Sequence, residues 1–174
     1  TSVFGYLAHV PYVTNKNMKK RLGHAGYVLS AFPYIIKRPE HYLIEYETDN
    51  IIGQTNCILG AITNSKGFGG IDLYKNVSLN DEKLELLLVR NANPKLIASL
   101  VSDYISNTID LNKYKDYLIM DSSSNIRLTF KETYPKFAFD NDGEKSNEII
   151  TYGNDTVIYK PAKKIKILKR KVQD

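Results

Sequence analysis

Apolar and polar positions along this chain alternate mostly with the period of a strand, and in two stretches with the period of a helix. Val3 to Thr14 reads as extended. From Asn15 onward Met18, Leu22, Ala25, Leu29 and Phe32 recur at helical spacing, with Thr14 or Asn15 as the cap, until Pro33 and Pro39 stop the pattern. Gly23 and Gly26 weaken that helix intrinsically, so close packing against a sheet or partner is the expected compensation. Tyr42, Ile44 and Tyr46 then alternate with Leu43, Glu45 and Glu47, and Asp49-Asn50 turns the chain into a long apolar strand from Ile51 to Thr63, which together predict a hairpin.

Leu84 to Val89 is nearly all apolar, as in a strand covered on both faces. Asn93-Pro94 starts a second helix, because asparagine caps free amides and proline tolerates the first helical position. Its buried stripe is Leu96, Ile97, Leu100, Val101 and Tyr104, up to Asn107. Short strands follow at 117–120, 125–131, 136–139, 155–160 and 164–168, broken at Ser122-Ser123-Ser124, Thr133-Tyr134-Pro135 and Gly153-Asn154. Such spacing predicts a mainly β (α+β) fold, a β-sandwich with two helices, forming one domain over residues 1–174.

Composition narrows the function classes. A chain of 174 residues, 43% apolar and 25% charged, can bury one sizeable core. Cys57 is the sole cysteine, which excludes an intrachain disulfide and suits a reducing, cytoplasmic setting. No apolar run reaches the roughly 20 residues of a membrane span. The chain opens on a threonine that leads straight into an extended stretch, so we expect the numbering to start inside a longer gene product. The net charge of +5 gathers around Lys16 to Arg21 and in the tail Lys160 to Lys171. The tail alternates Lys with Ile and reads as a final strand with one solvated face, whose basic end suits peripheral contact with an anionic membrane. The tyrosines are not grouped with the basic residues, which argues against nucleic acid as a partner. His9, His24 and His41 have no ligand spacing, and the chain has no phosphate-cradling Gly-x-x-x-x-Gly-Lys-Ser/Thr string.

Three segments carry candidate chemistry. Asp142-Gly143-Glu144 sets two carboxylates on a tight turn, since glycine accepts positive φ there. Leu79-Asn80-Asp81-Glu82-Lys83-Leu84 is a second acidic turn. Asn64-Ser65-Lys66-Gly67-Phe68-Gly69-Gly70 ends an apolar strand, where the polar side chain of Asn64 can face a cleft and touch substrate. Taken in chain order, Lys19-Lys20-Arg21-Leu22-Gly23-His24-Ala25-Gly26-Tyr27, the Gly60 to Gly70 strand and loop, the Val77 to Val89 acidic turn and strand, and the Asp142-Gly143-Glu144 turn resemble the C-terminal half of the bacterial diacylglycerol kinase family of lipid kinases, over nearly the whole chain.

The resemblance implies the β-sandwich lobe of the NAD kinase/diacylglycerol kinase-like fold. ATP would be held mainly by a separate N-terminal lobe bearing a Gly-Gly-Asp-Gly-Thr motif. It implies Glu144 as the proton acceptor for a lipid hydroxyl that attacks the γ-phosphate, Asp142 as its acidic partner, and Lys19 as a basic group facing the phosphates. It implies a Mg2+ site made of the Asp81 carboxylate and the backbone carbonyls of Ser78 and Lys83, bracing the lobe and apart from the ion that carries ATP. Glu82 departs from the pattern, because the family has glycine there, so a turn needing positive φ would be strained or altered. The expected partners are diacylglycerol or a related lipid, the N-terminal kinase lobe and a second copy of the chain. A non-catalytic lipid- or protein-binding sandwich and an NAD kinase-like lobe are the competing readings.

Overall fold

The computed structural model describes residues 1–5, 41–68, 71–74, 77–78, 80–131, 137–141, 144–151 and 154–162. The expected first helix from Asn15, the tail strand at 164–168, Lys19 and Asp142 lie outside these residues.

In chain order the elements are β1 (Ser2–Gly5), β2 (Tyr42–Glu47), β3 (Ile52–Thr63), β4 (Gly67–Phe68), β5 (Ile71–Asp72), β6 (Leu84–Arg90), α1 (Pro94–Ile105), β7 (Leu118–Ser123), β8 (Ile126–Phe130), β9 (Phe137–Asn141), β10 (Glu144–Thr151) and β11 (Thr156–Tyr159). Nine strands form one antiparallel sheet in the order β10-β9-β1-β3-β2-β8-β11, with β6 also on β3 and β7 on β6. The short β4–β5 ribbon stands apart. Strand β3 organises this arrangement. Its residues 52–57 pair with β2 and its residues 59–62 with β1, while β6 pairs with residues 57–63 with a register shift between Cys57 and Leu59.

One sheet becomes a sandwich because it wraps around β3. Strands β1 and β8 are not paired with each other. The rings of Phe4 and Phe130 on those strands nevertheless meet edge-to-face with centroids 5.4 Å apart. Likewise the hydroxyls of Ser2 on β1 and Tyr159 on β11 are 2.9 Å apart. Between the two wings lies a core in which Ile44, Leu86, Leu88, Ile126 and Leu128 are fully buried. The wrap requires small residues where backbones and rings cross. A Cβ on Gly60 would lie 2.0 Å from Phe4 Cζ, and Gly5, at φ +98, would put one 2.4 Å from the Ile58 carbonyl oxygen.

Alternation along β6 serves both faces. Leu86 and Leu88 enter the core between the wings, whereas Leu87 and Val89 face a second cluster with Ile97 of α1. Helix α1 starts where Asn93 Oδ1 accepts the Leu96 N–H at 2.9 Å, with Pro94 in the first turn. The chain after α1 is pinned back by Tyr114, fully buried, whose hydroxyl donates to Asp103 Oδ2 at 2.6 Å while Lys113 pairs with the same oxygen at 2.7 Å.

Two elements differ from the sequence expectation. Glu144–Thr151 forms a strand although its residues show no alternation, and the register shift between Glu144 and Ile149 accounts for that. Strand β7 continues through Ser122 and Ser123, where a break is expected from the serines. The corner supplies their hydrogen bonds: Ser123 Oγ takes the Asp49 N–H at 2.9 Å and donates to the Asn125 carbonyl at 2.8 Å.

Candidate functional site

Strand registers gather the polar turns at one end of the sheet. Glu144, the first residue of β10, pairs with Asn141 at the end of β9. Asn141 pairs with Ser2, Ser2 with Ile62, and next to Ile62 Thr63 pairs with Glu85, which pairs with Ser122. Asn141 and Glu144 therefore lie at the same end of the sheet as Asn64 and the start of β6. From Glu144 on β10 to Glu85 on β6 there are four strand steps, about 19 Å along the sheet.

Asn64 is exposed just beyond β3. Its loop is held from below: Thr63 Oγ1 lies 2.8 Å from Ser65 Oγ, which donates to the Gly67 carbonyl at 2.6 Å. The Lys66 carbonyl accepts the N–H groups of Leu73 and Tyr74 at 2.9 and 2.8 Å, closing the loop at its base.

The second acidic turn is organised by Asp81. Its N–H donates to the Ser78 carbonyl at 3.2 Å, and its Oδ1 accepts the Lys83 N–H at 3.0 Å. Oδ2 lies 3.4 Å from the Ser78 N, a long contact. Ser78, Asp81 and Lys83 are exposed. Glu82 has φ 59, so the turn keeps the left-handed residue that glycine would take without strain.

Glu85 was not legible as a site residue, because Leu84 to Val89 reads as an apolar strand. The one signal is an acid within that run. Its side chain is fully buried. Oε1 is 3.4 Å from the Ser122 hydroxyl, and Oε2 has no hydrogen-bond partner. Burial, and after it the charge of Asp81, raises the Glu85 carboxyl above its ordinary value. Tyr74 donates to the Leu86 carbonyl at 2.7 Å, and its phenol is pushed up by burial and then by the charges of Glu85 and Asp121.

Among the described residues no three His, Cys, Asp or Glu side chains gather as a metal cluster. An ion at the 78–83 turn would therefore rest on a carboxylate with backbone carbonyls, an all-oxygen set of the kind Mg2+ takes together with several waters. The residue types suit that chemistry: Ser78, Asp81 and Lys83 are exposed, and the Ser78 carbonyl accepts the Asp81 N–H. No helix among the described residues is long and apolar enough to cross a membrane.

No protein-family model and no curated protein matches the chain. Solved structures do. One, named "putative diacylglycerol kinase" from Bacillus anthracis str. Sterne, superposes with a TM-score of 0.58 at 20% identity, covering 92% of this chain and 49% of that one. Another of the same name and organism gives a TM-score of 0.55 at 21% identity, covering 92% and 50%. The chain thus spans about half the length of these structures, and at such identity what it shares with them is the fold.

Proposed function

We propose, from the fold shared with two solved structures from Bacillus anthracis that carry the name "putative diacylglycerol kinase", that this chain is the substrate-side lobe of a lipid kinase. In this reading the γ-phosphate of ATP passes to a lipid hydroxyl, with ATP held mainly by a second lobe. The observation that carries it is the register that brings Glu144 and Asn64 to one end of the sheet.

Phosphoryl transfer needs little covalent help from the protein, and positioning with charge neutralisation does most of it. Glu144 takes the proton from the attacking hydroxyl. Asp142, two residues away, disfavours a second negative charge and so keeps Glu144 basic enough for the task. Asn64 orients the polar headgroup, and Lys19 faces the phosphates. Mg2+, where bound, is held by Asp81 and the carbonyls of Ser78 and Lys83, and its charge braces the turn.

The test is Glu144→Gln in a protein that carries this lobe together with its ATP-binding lobe. Turnover with diacylglycerol should fall roughly 100-fold or more while folding is retained, within the range of lost general-base assistance. Near-normal turnover would remove Glu144 from this role. Assaying diacylglycerol, other lipids and NAD as acceptors in parallel separates a lipid kinase from an NAD kinase-like enzyme and from a binding module.

A further inference from the structure

The core between the wings is apolar, and apolar contact is non-directional, so it holds two strands together without fixing how far one slides along the other. A hydrogen bond fixes that coordinate, because it weakens steeply with distance and angle. The hydroxyls of Ser2 and Tyr159 form such a bond at 2.9 Å, between β1 and β11, which are not paired with each other. Ser2 is buried, and Tyr159 packs half-buried against the core. Burial raises the Tyr159 phenol above its ordinary value, so it pairs as a neutral hydroxyl.

Ser2 stands on the rung of the sheet that ends at the proposed proton acceptor. It pairs with Asn141 of β9, and Asn141 pairs with Glu144 of β10. Strand β10 lies at the end of the sheet order, and its register with β9 shifts between Glu144 and Ile149. Pairs further along β10 therefore do not carry their register back to Glu144, whose place depends on Asn141, as that of Asn141 depends on Ser2. We infer that Tyr159 is a positioning residue for Glu144: through Ser2, its hydroxyl fixes from the opposite wing the rung on which the proton acceptor sits. The inference rests on the reading of this chain as the substrate-side lobe of a lipid kinase, and it adds to that site a residue from the far end of the sheet.

The test is Tyr159→Phe, which deletes one oxygen, in a protein that carries this lobe together with its ATP-binding lobe. With diacylglycerol kcat should fall roughly 10-fold, short of the ~100-fold that a 1 Å misplacement can cost, while KM for ATP is unchanged. Ser2→Ala should do the same, and the double variant should be no slower than either single one, since both remove the same bond. Amide hydrogen exchange should quicken at Phe139, Asp140, Asn141 and Glu144 and stay at the parent's rate in β6 and α1. An unchanged kcat in Tyr159→Phe, or losses that multiply in the double variant, would overturn the inference. So would exchange that quickens equally in β6 and α1, because that marks the hydroxyl as a general stabiliser. Failure of the underlying reading shows separately: a parent that phosphorylates no lipid, or a Glu144→Gln protein of near-normal turnover, overturns that reading and the inference with it.

Discussion

Replacing Gly60 by alanine probes the wrap that makes this sheet a sandwich. The added Cβ would sit 2.0 Å from Cζ, 2.2 Å from Cε1 and 2.7 Å from Cε2 of Phe4. Carbon atoms pack at about 3.5–4.0 Å, so the ring or the strand has to give by about 1.5 Å. Neither has room. Phe4 is fully buried with its edge against Phe130, and Phe4 and Gly60 are direct partners in the β1–β3 ladder. Overpacking costs about 1–3 kcal/mol and here belongs near the upper end, offset by about 0.5–1 kcal/mol from removing a strand glycine. A net loss of about 2 kcal/mol lowers the melting temperature by about 4–8 °C in a chain of this size. Urea and thermal unfolding of Gly60→Ala, Phe4→Leu and the double variant measure it. The smaller side chain should restore room, so the double variant should be at least about 1 kcal/mol more stable than additivity predicts. A Gly60→Ala protein as stable as the parent, or strict additivity, would refute the close-approach argument.

Glu82→Gly should stabilise the chain by about 0.5–1 kcal/mol, because relief of a left-handed residue outweighs the entropy gained by the unfolded state. Urea unfolding checks this, and a loss of stability would show that the Glu82 side chain compensates its backbone. At the corner, Asp49 Oδ2 accepts the hydroxyl and the N–H of Ser124, both at 2.7 Å. The Ser124 hydroxyl, then Ser123 and the Ser124 amide, hold the Asp49 carboxyl below its ordinary 3.8. A carboxyl depressed in the folded state stabilises at pH above its unfolded value, and that contribution disappears as pH falls through the folded one. Asp49→Asn should thus be less stable than the parent at pH 7, with the gap closing below pH 3.8. A gap of constant size from pH 7 to pH 2 would contradict this.

What the sequence revealed followed from local pattern, and what it hid depended on distant partners. Alternation with Asp49-Asn50 predicts the β2–β3 hairpin, and the two strands pair in register from Tyr42↔Cys57 to Glu47↔Ile52. Asn93-Pro94 predicts α1 and its cap, and the apolar run predicts a β6 covered on both faces. The Glu82 departure foretold the strain found at φ 59. By contrast, nothing local shows that β3 serves two wings, since the order of strands is settled by pairing between remote segments. Strand β10 escaped because an irregular register erases the period that would reveal it. Glu85 escaped because its neighbours are leucines, and only the sheet places Asp81, Ser65 and Ser122 around it. Of the candidate site, the acidic turns and Asn64 were legible as residue types, whereas their common location at one sheet end required the registers of five strands.

Sharing β3 between both layers has an evolutionary corollary. Inserting or deleting one residue in its middle would invert inside and outside for two layers at once, since side chains alternate with every position. Its length is therefore locked, and freedom to vary is pushed out to the tips. Those tips bear the acids and Asn64, so this scaffold can exchange its chemistry without renegotiating its frame.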